Sequence, residues 1–428
     1  MGTVQTHLKS EWDICDPGTP VRKCGWNLNT GTTVSVSGLP GQAGAHRGRA
    51  CRIRKAELNR KQEILKRLSE RGDFVSGQEL CEKLQVSRTA VWKNIQKLKE
   101  EGYPIEAVTN KGYRLLSVEE ADIFDGEKIV ERLTTSWAGR PLLYQEETGS
   151  TNDDIFALAA QGYPHGTLVI AARQTAGKGR RGRTWISPPE GNIYMSILLK
   201  PDLRPDVTPM LTVVMALSVY QAVAELYMNQ AGTQSEKTSG QNFALAESAE
   251  KSKENHGLPD PAHCRFGIKW PNDIVVSVDG SSYRKLCGIL TEMRMEDNEI
   301  SAITIGIGLN VNQTEFAPEI SENATSFRLA LGKKVNRAAL TASIWNHFED
   351  NYNIFVKTQD FSGLKSSYEE GLVNRGRHVH VLDPRAPFTG TAVGINDQGE
   401  LLVQPDDGSA VCTVGSGEVS VRGVSGYV

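Results

Sequence analysis

The 428-residue sequence is short of cysteine and leaves what it has scattered. Cys15, Cys24, Cys51, Cys81, Cys264, Cys287 and Cys412 are odd in number, and none forms C-x-x-C. That spacing excludes a disulfide framework or a zinc site and suits a reducing, cytoplasmic setting. Charge of one sign is scarce too. The net formal charge is -3, so nucleic-acid binding would have to come from a local basic patch. No stretch reads as the ~18 apolar residues of a membrane span. The first residues lack a charged-then-apolar signal pattern, and "MGTVQT" matches a myristoylation pattern short enough for chance to supply. With 39% hydrophobic and 23% charged residues, the chain has ordinary globular composition and room for two to four domains.

Residues 1–55, rich in Gly, Thr, Ser and Pro, read as a disordered leader. Order is expected from residue 56. Ile64, Leu65 and Leu68 recur at helical spacing. Ser76 then caps a short helix, and Ser87 caps a third whose Val91, Ile95 and Leu98 share a face. "IEAVT" and "YRLLS" flank Asn110-Lys111-Gly112, a hairpin signal. Three helices with a tight turn before the third, followed by a hairpin, make a winged helix-turn-helix over 56–118. Ser87, Arg88, Thr89, Lys93, Asn94 and Lys97 on the third helix suit phosphates and base edges, and Lys111 suits a backbone phosphate at the wing tip. A solvated basic helix in a protein-binding domain is the plainer alternative.

The next region, 122–372, mixes strands and helices without regular βαβ alternation, so the fold class is α+β. "GNIYMSILLK" alternates as a half-buried strand, and 207–228, 337–357 and 362–370 read as helices. Residues 229–264 are polar and read as a disordered insertion. Over 375–428, short strands at close spacing fit a small SH3-like β-barrel.

Gly177, Gly179 and Gly182 in "AGKGRRGRTW" spell G-x-G-x-x-G. A dinucleotide loop needs a helix immediately afterwards to receive the pyrophosphate. Here Pro188-Pro189 follows and leads into another strand, so the context contradicts the lettering. What remains is a glycine-rich loop dense in cation, with Lys178, Arg180, Arg181 and Arg183, suited to a polyanion.

In order along the chain stand "TGSTNDD", "RQTAGKGRRGRTW", "IKWPNDI", "RKLCGIL" and "IGIGLNVN". Together they resemble the signature run of biotin protein ligases, and the winged helix ahead of them resembles the bifunctional members that repress biotin genes. The resemblance covers about 57–428 outside the insertion, and it implies a central mixed α/β ligase-like domain. It implies a ligase that joins biotin to ATP as biotinyl-5'-AMP and passes biotin to a lysine of a biotin carboxyl-carrier protein, using Mg²⁺. It also implies operator DNA as a partner, biotinyl-5'-AMP as corepressor, and a homodimer when that adenylate is bound. No membrane partner is expected.

By the same resemblance, Ser150, Thr151, Asn152 and Gln174 hold the ureido ring, although "STN" also reads as a helix cap. Lys178, Gly179 and Arg180 belong to the biotin side, and Lys178 stands where the family commonly has Arg, which removes bidentate geometry. Lys269, Lys285, Arg180 and Asp273 are the catalytic set. Lys285 would face the biotin carboxylate, Lys269 the α-phosphate and Asp273 the metal. Gly177, Arg183, Asn272, Gly306 and Asn310 would bind ATP. An acidic residue beside lysines also reads as a salt bridge, and the paired strand glycines as a β-bulge. Two other readings stay open: a ligand-sensing transcription factor without ligase activity, and a lipoate-type ligase.

Overall fold

The structure is a computed structural model. It describes residues 60–428 apart from 62, 69–70, 72, 101–102, 117–121, 123, 190, 231–263, 281, 385, 417–419 and 424–426. The expected leader, the "MGTVQT" pattern and all but the margins of the expected insertion lie outside the described residues.

Helix α1 (63–68), α2 (Gly77–Leu84) and α3 (Arg88–Glu100) precede a hairpin of β1 (Ile105–Val108) and β2 (Gly112–Leu115). Ser76 accepts from the Glu79 amide and Ser87 from the Ala90 amide, so both predicted caps form. Ile64, Leu68, Leu80, Val91, Ile95 and Leu98 close one small core. Val75 bridges to Tyr113 and adds a third extended segment to the wing. Gly112 is required there, because a Cβ would lie 2.1 Å from the Val75 carbonyl oxygen.

A second apolar core lies around a seven-stranded sheet. Its contributing elements are α4 (Gly126–Val130), β3 (Leu142–Gln145), α5 (Thr151–Ala160), β4 (Leu168–Ala171), β5 (Ile193–Leu199), α6 (Met210–Gln230), β6 (Arg265–Lys269), β7 (Asp273–Ser277), β8 (Arg284–Glu296) and β9 (Glu299–Leu309). They are completed by α7 (Phe327–Leu331), α8 (Arg337–Thr358) and α9 (Lys365–Gly371). Strand order is β3-β4-β5-β9-β8-β7-β6, with β3 and β4 parallel and the other pairs antiparallel. The mixed α+β class therefore holds. Strand β5 differs from expectation: all seven residues are buried. Ile193, Met195, Ile197 and Leu199 join the main core, while Leu198 packs with Ile155 and Phe156 of α5 on the opposite face.

The expectation of no membrane-length apolar run is also corrected. Residues 205–228 are long and apolar enough by length and composition to cross a membrane. In this fold that segment is largely buried inside the protein, and α6 packs chiefly against α8. An all-round apolar helix is what the centre of a core demands.

Strands β10 (His378–Leu382), β11 (Phe388–Ile395), β12 (Leu401–Pro405), β13 (Cys412–Val414) and β14 (Ser420–Gly423) form an antiparallel sheet in the order β13-β12-β11-β10-β14. Val379, Val381, Ala392 and Leu401 belong to the same apolar cluster as α6 and α8. The Trp270 indole donates to the Gly399 carbonyl at 2.9 Å, so the last sheet is fastened beside the β6–β7 turn.

Glu349 on α8 fixes the segment ahead of β3. Its carboxylate accepts from the amides of Ser136, Trp137 and Ala138 and from the Ser136 hydroxyl, at 2.7–2.9 Å. Burial alone would raise its pKa, but these donors outweigh burial and hold it below the usual value. Glu349→Ala should cost about 2 kcal/mol of stability in urea unfolding, because it strands three amides. A loss below about 0.5 kcal/mol, the range of an ordinary surface change, would contradict this reading.

Candidate functional site

Strands β8 and β9 and the β6–β7 turn line a cavity of about 540 Å³. Three glycines shape its floor. Gly288 and Gly308 are cross-strand partners, and the Trp185 indole lies over both. A Cβ on Gly308 would sit 2.3 Å from that ring, and one on Gly306 would sit 2.2 Å from Asn152 Oδ1. The β8–β9 register shift falls at Arg294/Met295, so these glycines serve close approach and not a bulge.

One end of the cavity is neutral and polar. Ser150 occupies the N-cap position of α5 but makes no capping hydrogen bond. Gln174 Oε1 instead accepts from the Thr151 amide at 2.9 Å and lies 3.1 Å from the Thr151 hydroxyl. The Thr151 and Ser196 hydroxyls are 2.6 Å apart, and Ser196 donates to Asn152 Oδ1 at 2.6 Å. Asn152 Nδ2 donates to Glu292 at 2.6 Å. A hydrogen-bonded chain thus runs from Gln174 to Glu292 and sets the direction of each amide. Sequence reasoning missed Ser196 and Glu292. A lone serine in the apolar run "IYMSILL" was the available signal.

The other end is cationic. Lys178, Arg180, Arg181, Arg183, Lys269, Lys285 and Arg422 line the cavity, and Asp273 is the one carboxylate among the described lining residues. Register pairs Lys269 with Asp273 across the β6–β7 turn. Lys285 Nζ lies 2.7 Å from Asp273 Oδ1 as a charge pair rather than a directed hydrogen bond. The Tyr427 hydroxyl donates to Asp273 Oδ2 at 2.6 Å, and the Lys269 ammonium rests 3.5 Å from the Tyr427 ring centroid. Burial pushes Lys269 down to about 8; Asp273 opposes the shift, and Lys285, Arg422 and Arg183 add to it. Asp273 is also buried, which alone would raise its pKa, but Lys285 and Lys269 hold it below the usual value.

The loop closes on itself and over the cationic end. Gly179 donates to the Arg183 carbonyl at 2.7 Å and Trp185 to the Gly177 carbonyl at 2.9 Å. Arg181 and Gly182 are both left-handed, at φ 59° and 71°. Arg180 donates to Asn272 Oδ1 at 3.0 Å and to the Ser416 carbonyl. Lys178 pairs with Asp153 at 2.5 Å in a half-exposed contact.

Of the residues singled out by sequence for the pocket, Ser150, Thr151, Asn152, Gln174, Lys178, Gly179, Arg180, Arg183, Lys269, Asn272, Asp273, Lys285, Gly306 and Asn310 all line it. Gly177 does not. Its lack of a side chain instead admits the Trp185 carbonyl and the Ser187 hydroxyl, which a Cβ would meet at 2.5 and 2.8 Å. Trp185, Arg422 and Tyr427 were missed. Trp185 Nε1 is buried and without a hydrogen-bond partner, so the cavity wall holds an unsatisfied donor.

Among the described residues no group of three His, Cys, Asp or Glu could hold a metal ion, so the protein alone builds no metal cage. Asp273 pairs with Lys285 and accepts from Tyr427, which is the salt-bridge arrangement. A Mg²⁺ carried by ATP phosphates would need only this one carboxylate from the protein.

In the winged helix, Ser87, Arg88, Thr89, Lys93, Lys97 and Lys111 are exposed. Asn94 is not: it is buried, and its Nδ2 back-bonds to the Ala90 carbonyl at 2.7 Å, which removes it from the expected DNA-facing set. Trp92 is 53% exposed on α3, an apolar surface not anticipated.

Three family models match along the chain: an HTH domain over 60–114, the biotin/lipoate A/B protein ligase family over 145–310, and the biotin protein ligase C-terminal domain over 376–422. They define the class, a helix-turn-helix module joined to a ligase. The chain is 34% identical over 355 residues to the bifunctional ligase/repressor BirA of Bacillus subtilis, covering 81% of this chain and 95% of that protein. It is 29% identical over 301 residues to a biotin–[acetyl-CoA-carboxylase] ligase of Mycobacterium tuberculosis, covering 69% and 94%. It also resembles the Aquifex aeolicus biotin protein ligase solved with biotin and ATP, at 28% identity and a TM-score of 0.50, covering 66% of this chain and 98% of that one. The chain belongs to the bifunctional biotin ligase/repressor family.

Gly306→Ala drives a methyl into Asn152 and should weaken biotin binding by about tenfold in calorimetry while the protein stays folded. Unchanged affinity would show that the polar end does not depend on Asn152's position.

Proposed function

We infer that this protein activates biotin with ATP to biotinyl-5'-AMP and transfers biotin to a carrier-domain lysine, and that its winged helix represses transcription with the adenylate as corepressor. The observation that carries the ligase reading is one cavity with a directed amide–hydroxyl chain at one end and clustered cations at the other. A cyclic urea offers both N–H and C=O to such a chain. A dithiolane offers neither, which disfavours a lipoate ligase.

The first step brings two anions together. A biotin carboxylate oxygen attacks the α-phosphorus of ATP, the bond to the pyrophosphate oxygen breaks, and pyrophosphate leaves. Lys285 holds the carboxylate, and Lys269 with Arg183 stabilises charge growing on the α-phosphate. Asp273 keeps both lysines aimed inward. Asn272 and Asn310 bind the nucleotide, and Arg180 closes over the mixed anhydride. In the second step a carrier lysine nitrogen attacks the acyl carbon, AMP departs and the amine loses a proton. Cys287 takes no part: it is buried, and burial raises its thiol pKa.

We assign the exposed basic residues of α3 and Lys111 to operator DNA, and a homodimer to the adenylate-bound state, since one winged helix reads one half-site. The domain division 1–55, 56–118, 122–372 and 375–428 and a cytoplasmic setting complete the proposal.

The test is pyrophosphate release with biotin and ATP, followed by biotin transfer to a carrier domain. Lys269→Ala and Lys285→Ala should each lower adenylation roughly 100-fold with folding intact. Near-normal rates in both would overturn their roles, and no transfer by the wild-type protein would favour the ligand sensor. Because Lys269 must be charged to meet phosphate, kcat/KM for ATP should fall as pH rises through about 8. A flat profile to pH 9.5 would contradict that.

A further inference from the structure

Tyr427 follows β14 in sequence, yet it reaches the β6–β7 turn more than 150 positions earlier. Its two contacts there differ in kind. The hydroxyl donates to Asp273 Oδ2 at 2.6 Å, and the ring face lies under the Lys269 ammonium at 3.5 Å. Oδ1 of the same carboxylate faces Lys285 at 2.7 Å. One tyrosine therefore touches the carboxylate between the two lysines and one of the lysines themselves. Tyr427 also lines the cavity. Arg422 of β14 lines it as well, so the last strand and the segment after it present a cation and an aromatic face to this end of the pocket.

A buried ammonium beside other cations is pushed outward by their charge and drawn toward water. A ring face attracts it electrostatically without supplying a counter-charge that would compete with phosphate. A carboxylate with one free oxygen can rotate, whereas one held at both oxygens cannot. We propose that Tyr427 is a positioning residue for adenylation: its ring seats Lys269 and its hydroxyl locks Asp273, so that both lysines face the reacting carboxylate and phosphate without rearrangement. The inference rests on the ligase reading above. It adds a residue outside every motif that carried the resemblance, supplied by the C-terminal sheet region to a site built on the central one.

The two contacts can be separated. Tyr427→Phe keeps the ring and removes the hydroxyl; Tyr427→Ala removes both. Measured on the full chain as pyrophosphate release with biotin and ATP, kcat should fall roughly tenfold in Tyr427→Ala. Tyr427→Phe should recover part of that loss through the ring. Biotin affinity without ATP, measured by calorimetry, should fall by no more than about threefold in both, well short of the rate loss, because the amide end of the pocket is untouched and only the hold of Lys285 on the carboxylate is loosened. Loss of packing alone would weaken biotin binding along with the rate, and the split between the two would vanish. That result overturns the proposal. So does a wild-type rate in Tyr427→Ala, or a faster one, which would identify the ring as an obstruction to the nucleotide. Absence of adenylation by the wild-type protein in the same assay would instead remove the ligase reading on which the inference rests.

Discussion

Like charges gathered around one buried carboxylate set the terms for this site. Arg183, Lys269, Lys285 and Arg422 line one cavity with a single carboxylate, Asp273; Lys269 and Asp273 are buried, while Arg183 and Arg422 sit at its exposed rim. Asp273 cannot balance them all, so the lining carries a surplus of positive charge suited to a polyanion. Lys269 carries the cost: burial first, and the neighbouring cations after it, depress its pKa to about 8. A fold that maintains such a cluster must fasten its walls firmly. The Trp270 indole on Gly399, Tyr427 on Asp273 and Arg180 on Asn272 draw the β6–β7 turn, the last sheet and the glycine loop toward one place.

The glycines follow from the same requirement. An acyl chain must lie against the sheet if its carboxylate is to reach the cations while its ring reaches the amides. Side chains at 288, 306 and 308 would fill that path, and their absence lets Trp185 and Asn152 form walls close to the strands. "AGKGRRGRTW" thus shares glycines with dinucleotide loops for a different reason. Its cations line the cavity, Gly177 clears space for the Trp185 carbonyl and the Ser187 hydroxyl, and no helix follows to receive a pyrophosphate.

Much of this was legible in sequence because motifs such as "KWPND" and "RKLCG" are short and lie on adjacent strands. Local order along β6, β7 and β8 carries over directly into spatial order. Arg422 and Tyr427 were not legible, since their place depends on how a separate sheet packs onto the core, and no local pattern encodes that. Asn94 shows a different failure. It stands three residues after Val91 and four before Leu98, so helical phase places it on the inner face, and its polar type suggested otherwise. Burial of β5 on both faces was hidden for a related reason: the covering helix α5 lies almost 40 residues earlier, and alternation within a strand does not reveal what packs above it.

If clustered charge is what the site is built around, anion binding must pull Lys269 back toward its ordinary pKa. Calorimetric titration with biotin and a non-hydrolysable ATP analogue at pH 8, repeated in buffers of different ionisation enthalpy, measures the protons exchanged on binding. The account predicts net proton uptake at pH 8, diminishing toward pH 6.5 where Lys269 is already charged. Equal apparent enthalpies in all buffers at pH 8, or net proton release, would contradict it.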